Sequence, residues 1–374
     1  MKQSVSYIDT NKDLVSCCAR LKMSKWLAVD TEFVRERTYF PLLCLIQIAT
    51  EQEIFCVDVL EIEDLSPLYD ILLDPSIIKV IHSAKQDLEA FYYSLGKVPQ
   101  PIFDTQIAAT FLGDKAQIGY AALVEKYTEV TLAKAHTRAD WSKRPLAAAL
   151  LDYAADDVRY LGFIYEKQTQ ALYEIERHIW AQEEFVALTQ LHHYAPDPEA
   201  AWQRIKRIGH LDIPQLTLLQ RLASWREKEA IEKDKPRKWI IKDDVLIDIA
   251  CSTGQNNENT KINNLSDTLY RRINSECLMV AADTKMPTQN DINKTQSLTE
   301  KDISQVTSLQ ALVKAHAEKL KLSPQLLATR KDIELLVRGE RQLPLLQGWR
   351  KTVIGESLLK CIQESVNCNR SESS

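Results

Sequence analysis

The chain has 374 residues, a formal net charge of −5, 45% hydrophobic and 26% charged residues; the balance is that of a globular protein and the length asks for two or three domains. No uncharged apolar run approaches the roughly 20 residues of a bilayer-spanning helix, and Met1-Lys2-Gln3-Ser4 leads into polar sequence, not an apolar targeting core. The eight cysteines (17, 18, 44, 56, 251, 277, 361 and 368) form no C-x-x-C pair and none stands at zinc spacing from a histidine, which argues against a disulfide or zinc scaffold and for reduced thiols in the cytoplasm.

Strand and helix signals alternate at first. Trp26–Phe33, Leu43–Ala49 and the shorter Glu53–Val57 read as strands, Asp64–Leu73 as a helix and Ile77–His82 as another apolar strand. A helix through Leu95 stops at Gly96 and the Pro99-Gln100-Pro101 break, and helical patterns resume at Thr105–Leu112 and Tyr120–Tyr127. Pro145 suits the first turn of one long helix through Ala147–Tyr165. These signals predict a mixed sheet flanked by helices. Beyond about residue 165 the pattern is helical only. Trp180–Leu191 closes the first region, Tyr194–Pro198 breaks it, and Ala282–Lys301, rich in Thr, Asn and Gln, reads as a linker.

Three segments can carry chemistry. In Val29-Asp30-Thr31-Glu32-Phe33 the strand alternation sends Asp30 and Glu32 to one face and Val29, Thr31 and Phe33 to the other. Adjacent carboxylates on an apolar strand repel unless a cation separates them; a solvated strand end is the ordinary alternative. In His82–Phe91 a strand hands over to a helix with Asp87 in its first turn, a position where an acid commonly serves only the helix dipole. Within Leu150–Leu161, Tyr153 and Asp157 stand four apart on one helical face, an arrangement also common on plain surface helices. Their combination and order are far more specific than any one of them.

The three segments resemble the exonuclease motifs of the DEDD superfamily in its tyrosine-bearing branch; the histidine-bearing branch would want a histidine where this chain has Asp152. Val34–Pro41 followed by Leu45-Ile46-Gln47 is similar to the ribonuclease D family. So is the later chain: Leu218–Ile249, with Trp225-Arg226-Glu227, Pro236-Arg237 and a predicted helix Asp243–Ile249, resembles an HRDC (helicase and RNase D C-terminal) domain. The segment containing Leu345–Arg350 resembles a second such module. The resemblance spans nearly the whole chain. It implies an α/β N-terminal domain, a ribonuclease H-like mixed sheet flanked by helices, followed by two all-α HRDC-type domains. The expected bounds are 1–195 for the exonuclease, 205–285 and 306–366 for the helical domains, 286–305 for a linker and 367–374 for a disordered tail.

The same resemblance implies a 3′→5′ exoribonuclease that releases nucleoside 5′-monophosphates using two divalent cations, Mg²⁺ or Mn²⁺. Asp30 would bridge them, Glu32 and Asp157 would serve the nucleophile side, Asp87 the leaving-group side, and Tyr153 would orient the attacking water or the phosphate. Implied substrates are tRNA precursors and other structured RNAs with a free 3′ end, for a monomer acting in the cytoplasm. Phe33, Arg35, Arg37 and Gln47 are candidate contacts to the terminal nucleotides. Lys228, Lys233, Lys235, Arg237 and Lys238 are candidate phosphate contacts in Arg204–Lys242, where eleven Lys/Arg stand against five Asp/Glu. For each of these, solvated charge or core is the ordinary alternative. Trp225, Trp239 and Trp349 read as core, and His82 and His136 as structural. Carboxylates do not read a 2′-hydroxyl, so the motifs alone also fit a DNA exonuclease. A non-catalytic RNA-binding scaffold would be expected to lack one or more of the four acids.

Overall fold

The computed structural model describes residues 3–132, 139–252 and 298–371. Contacts divide the chain into two units: Met1–Val34 with Pro41–Tyr194 and Gln305–Ser374, and Arg35–Phe40 with Ala195–Ser304. His136, residues 253–285 of the expected first helical domain and most of the expected linker lie outside the described residues.

The first unit begins Ser4–Ile8 (β1), Asn11–Leu21 (α1), Trp26–Val34 (β2), Leu42–Ala49 (β3), Glu53–Asp58 (β4), Ser66–Leu72 (α2), Ile78–Ile81 (β5) and Lys85–Leu95 (α3). It continues with Ile102–Asp104 (β6), Thr105–Phe111 (α4), Tyr120–Thr128 (α5), Ala148–Arg159 (α6), Leu161–Glu174 (α7) and His178–Leu188 (α8). The strands form one sheet in the order β1-β4-β3-β2-β5-β6. β3 runs antiparallel to β2 and β4, and the remaining neighbours are parallel. Leu43–Ala49 of β3 is buried throughout, as befits a strand with neighbours on both edges.

Two strands escape the sequence pattern. β1 opens with the exposed Ser4 and Val5, and β6 has three residues before Asp104 caps α4, its carboxylate accepting the amides of Gln106 and Ile107. The single long helix expected over 147–165 is two. Tyr160, at φ −104° and ψ −7°, separates α6 from α7. Pro145 precedes α6 and lies in a loop held by Arg144. At the start of α7, Gly162 lets the Trp26 ring approach so closely that a Cβ would lie 1.9 Å from its Cη2.

The later helices Arg330–Val337 and Glu356–Ser371, and Glu300–Leu320 from Gln305 onward, belong to this first unit. Trp349 stacks on Trp180 at 5.1 Å and meets Phe111 edge-on at 5.2 Å. Arg350 forks onto the Glu184 carboxylate (Nη2 to Oε2, 3.0 Å), and Arg177 donates to the Leu320 carbonyl at 2.6 Å. The segment expected to stand apart thus shares the nuclease core. Its last helix runs through Ser371, past the Asn367 where a tail was expected; no Gly or Pro interrupts it. Residues 372–374 lie outside the described residues.

The second unit is built on Ile213–Glu232 (α9), Arg237–Ile240 (α10) and Asp243–Ser252 (α11). Asp212 and Gln215 form a capping box at the start of α9. Trp202, Leu216, Leu219, Leu222, Trp225, Leu246 and Ile249 form the core. Arg35–Phe40 joins it: the amides of Tyr39 and Phe40 donate to Asp234 at 2.9 and 3.0 Å, and the Tyr39 phenol donates to the buried Glu227. Trp225 is core as expected, whereas Trp239 is 60% exposed. The one-turn α10 directs Ile240 and the following Ile241 inward, which leaves Trp239 outside.

Candidate active site

Asp30, Glu32 and Asp157 offer carboxylate oxygens that all lie within 4.8 Å of one another. β2 supplies the first two from the middle of the sheet, and α6, packed across β2, β3 and β4, supplies the third. Asp87, from the first turn of α3, lines the same cleft of about 370 Å³ but stands outside the trio. It is buried, and its Oδ1 accepts from the Thr31 amide at 3.1 Å and the Thr31 hydroxyl at 2.5 Å. Thr31, expected merely to face away from the acids, is therefore what fixes the fourth one. Phe33 was expected to face away too, yet it lines the cleft. The β2–β3 register shifts between Glu32 and Phe33, and such a bulge re-aims the side chains beside it.

Tyr153, one turn before Asp157 on α6, hydrogen-bonds to the Asp157 carboxylate. Trp141 lies 6.3 Å from its ring. That tryptophan is placed by Arg144, whose Nη1 donates to the Trp141 carbonyl at 2.7 Å while the guanidinium forks onto the buried Asp58 (Nη2 to Oδ1, 2.6 Å). Tyr7 donates to the same carboxylate and Arg144 Nη2 also reaches the Cys44 carbonyl at 2.9 Å. The loop before α6 is in this way bolted to the end of β4. Nothing in the spacing of these residues announces the link.

Crowding defines the electrostatics. Burial, then the neighbouring carboxylates of Asp87, Asp157 and Glu32, lifts Asp30 well above the usual carboxylate range. Burial and the charges of Asp157 and Asp87 push Glu32 up to about 8. Asp87 is pushed up to about 7 by burial despite its bonds from Thr31, and Asp157 to about 7 by burial despite its bond from Tyr153. The Tyr153 phenol is raised above its ordinary value by burial and by Asp157, so it remains a proton donor at neutral pH. An all-oxygen set of acids that repel one another in a cleft suits a hard divalent cation.

Sequence similarity points the same way. A 3′-5′ exonuclease family matches residues 5–172, and an HRDC domain family matches residues 215–270. The ribonuclease D of Sphingobium indicum is 37% identical over 95% of this chain and 94% of its own length. The chain belongs to the ribonuclease D family. The ribonuclease D of Granulibacter bethesdensis is 34% identical over 95% of this chain and 92% of its own. The crystal structure of Escherichia coli RNase D, described as an exoribonuclease involved in structured RNA processing, matches with a TM-score of 0.82 at 32% identity, covering 97% of this chain and 99% of that one. The chain is accordingly a 3′-5′ exoribonuclease with a ribonuclease H-like domain and an HRDC domain, and its family suggests divalent-metal use. No helix among its described residues is long and apolar enough to cross a membrane.

The remaining candidate contacts separate into buried, paired and exposed side chains. Gln47 is fully buried in β3, opposite Asp30 and beneath α6, so it is no substrate contact as the fold stands. Arg35 and Arg37 are exposed, and the Arg35 Nε donates to the Tyr39 carbonyl at 3.0 Å. Lys228 pairs with Glu199 at 3.1 Å, Lys233 with Glu229 at 2.5 Å and Arg237 with Glu227 at 3.6 Å. Lys235 and Lys238 are exposed. His82, read as structural, does line the cleft, but its ring nitrogens engage the Thr105 hydroxyl (2.9 Å) and the Ile118 carbonyl (3.1 Å), and burial lowers its pKa. Of the acids set aside, Asp156 turns to Arg159 at 2.7 Å and Asp104 caps α4. Sequence reasoning missed Gln86 and Tyr120 in the cleft; no residue pattern marks them.

Proposed function

We propose that this enzyme removes nucleoside 5′-monophosphates one at a time from RNA 3′ ends with two divalent cations, Mg²⁺ or Mn²⁺, held by Asp30, Glu32, Asp87 and Asp157. The observation that carries the reading is the Asp30–Glu32–Asp157 trio, its oxygens within 4.8 Å of one another, with Asp87 in the same cleft. Bound there, divalent cations supply an ionised water as nucleophile and neutralise charge on the departing 3′ oxygen. Asp30 is the acid opposed by all three of the others, so it would be the one to hold both cations. Tyr153 holds Asp157 and stays protonated, so its part is to donate a hydrogen bond to the attacking water or the scissile phosphate, not to remove a proton. Phe33, which lines the cleft, would pack against the terminal base.

The E. coli relative's described part in structured RNA processing favours tRNA precursors with 3′ trailers, and other structured RNAs with a free 3′ end, as substrates. The HRDC-type regions 205–285 and 306–366 are assigned to binding them. Matched 5′-labelled RNA and DNA oligonucleotides, incubated with Mg²⁺ or Mn²⁺ and with chelator, test the reading. Shortening of RNA from the 3′ end to mononucleotides, stopped by chelator, is expected. Equal degradation of DNA, or cleavage that persists in chelator, would overturn it.

A further inference from the structure

Trp239 is 60% exposed, whereas Trp202 and Trp225 of the same unit are 5% and 8% exposed. An indole is among the largest apolar surfaces a chain can bury, and one left in water on a single-turn helix calls for a partner. The charges around it are sorted in an informative way. Lys228, Lys233, Arg226 and Arg237 of the basic stretch are committed to Glu199, Glu229, Asp243 and Glu227. Lys235, Lys238 and Lys242 are exposed and make no ion pair among the described residues. These three lie four and one residues before Trp239 and three after it. Of the nearby acids, Asp234 accepts the Tyr39 and Phe40 amides and Asp243 holds Arg226, which leaves Glu232 and Asp244 exposed against the three lysines.

We propose that α10 and its flanks form a stacking platform for unpaired RNA, with the Trp239 indole taking the face of a base and Lys235, Lys238 and Lys242 the adjacent phosphates. The proposal rests on the reading of the chain as an RNA-degrading enzyme and adds which part of the substrate this unit holds. A ring flanked by unpaired ammonium groups is the chemistry of sequence-tolerant single-strand binding, because every base has a π-face and every nucleotide a phosphate. A duplex offers its phosphates but keeps its base faces stacked on one another, so the ring confers preference for unpaired segments. A Lys in place of Trp239 would add charge without that preference.

The test is binding by the full chain in chelator, where hydrolysis cannot interfere. Fluorescence anisotropy follows a labelled unpaired oligoribonucleotide and the same sequence annealed into a duplex. Trp239→Ala is expected to weaken the unpaired oligonucleotide about 5- to 100-fold and to leave the duplex within about twofold, while Trp239→Tyr restores most of the loss. Lys238→Gln is expected to reduce the slope of log affinity against log salt by about 0.7. Unchanged affinity in Trp239→Ala, or equal losses for duplex and single strand, would overturn the platform. A Trp239→Ala change that alters only the sedimentation of the protein, with RNA binding intact, would also overturn it, in favour of contact with a second copy. Failure of wild type to degrade any RNA would instead defeat the functional reading and leave the binding result standing on its own.

Discussion

Replacing Asp30 by Asn removes a charge that all three neighbouring acids oppose, so it should abolish hydrolysis while leaving the fold intact. The same crowding predicts a pH effect in the cation-free enzyme. Glu32 at about 8, and Asp87 and Asp157 at about 7, all lie above the ordinary carboxylate value near about 4 that they take in the unfolded chain. The folded form therefore holds extra protons between those limits. Its stability is full below that window and is lost as pH rises through it. In chelator the melting temperature should fall between about pH 4 and pH 8 and level off above it, excess Mg²⁺ should flatten the fall, and Asp30→Asn should make it shallower. A flat profile in chelator would count against a repelling carboxylate cluster. Tyr153→Phe keeps the ring but deletes the hydroxyl that bonds Asp157. Single-turnover rates at saturating RNA and Mg²⁺ should drop by about 10²-fold or more with little change in cation affinity; a rate within about twofold of wild type would make that hydroxyl structural. The four acids and Tyr153 were legible because strand and helix periods fix which residues share a face. Thr31 was not, since its part is a hydrogen bond to Asp87 from another element. Neither was Lys79, which sits in an apolar strand pattern yet is fully buried with its ammonium on the carbonyls of Asp74, Ile77 and Gln100 at 2.8, 2.6 and 2.6 Å.

Among the elements, β2 lends the cleft four residues and α6 two, and the loop before α6 is the part the sequence hid. Arg144 joins that loop to Asp58, and Asp58 has no exposed side-chain surface. Arg144→Met would leave the Asp58 charge buried with only the Tyr7 phenol and the Leu60 amide to answer it. The expected cost is about 3–5 kcal/mol of stability, the range for breaking a buried pair from one side, measured by urea unfolding. A Tyr153-dependent drop in turnover should accompany it at temperatures where the variant is folded, because Trp141 loses its anchor. A loss below about 1 kcal/mol, the scale of an exposed pair, would show the pair to be no more than a surface contact. Helical periodicity runs smoothly through Tyr160, so the α6–α7 break was invisible in sequence. The cause is tertiary: Trp26 of β2 needs the space above Gly162. β2 to β5 were readable from buried apolar runs, and β1 and β6 were not because an exposed edge and a three-residue strand carry too little pattern.

At the scale of the whole molecule, the order of regions in the sequence suggested a nuclease ending near residue 195 with helical binding regions after it. On that reading, removal of everything beyond about residue 200 would mainly weaken RNA binding. The packing of Trp349 against Trp180 and Phe111 says otherwise. Trp349 is 5% exposed, and Trp349→Ala should cost about 3–5 kcal/mol in urea unfolding, the range for emptying a buried aromatic site. Such a truncation removes that aromatic contact together with Glu227 and Asp234, the partners of the 35–40 loop. A destabilised nuclease is then expected rather than a merely weaker binder. If Trp349→Ala changed stability by less than about 0.5 kcal/mol, as at an ordinary surface site, the late helices would be an appendage after all. A single sequence shows such packing poorly, since apolar helix faces look alike whichever neighbour they cover.

The division into units, with chain crossings at residues 34/35, 40/41, 194/195 and 304/305, also sets a timetable for synthesis. Tyr39 finds its amide partner 195 residues later in the chain and its phenol partner 188 residues later. At about 5–20 residues per second, that is a wait of roughly ten to forty seconds on the ribosome. The nuclease unit waits longer still, because Trp349 and Arg350 follow the whole helical unit. A ribosome carries its own message as a nearby RNA, and a nuclease whose aromatic contact at Trp180 is delivered this late completes its fold only after the segment proposed to bind RNA has been made.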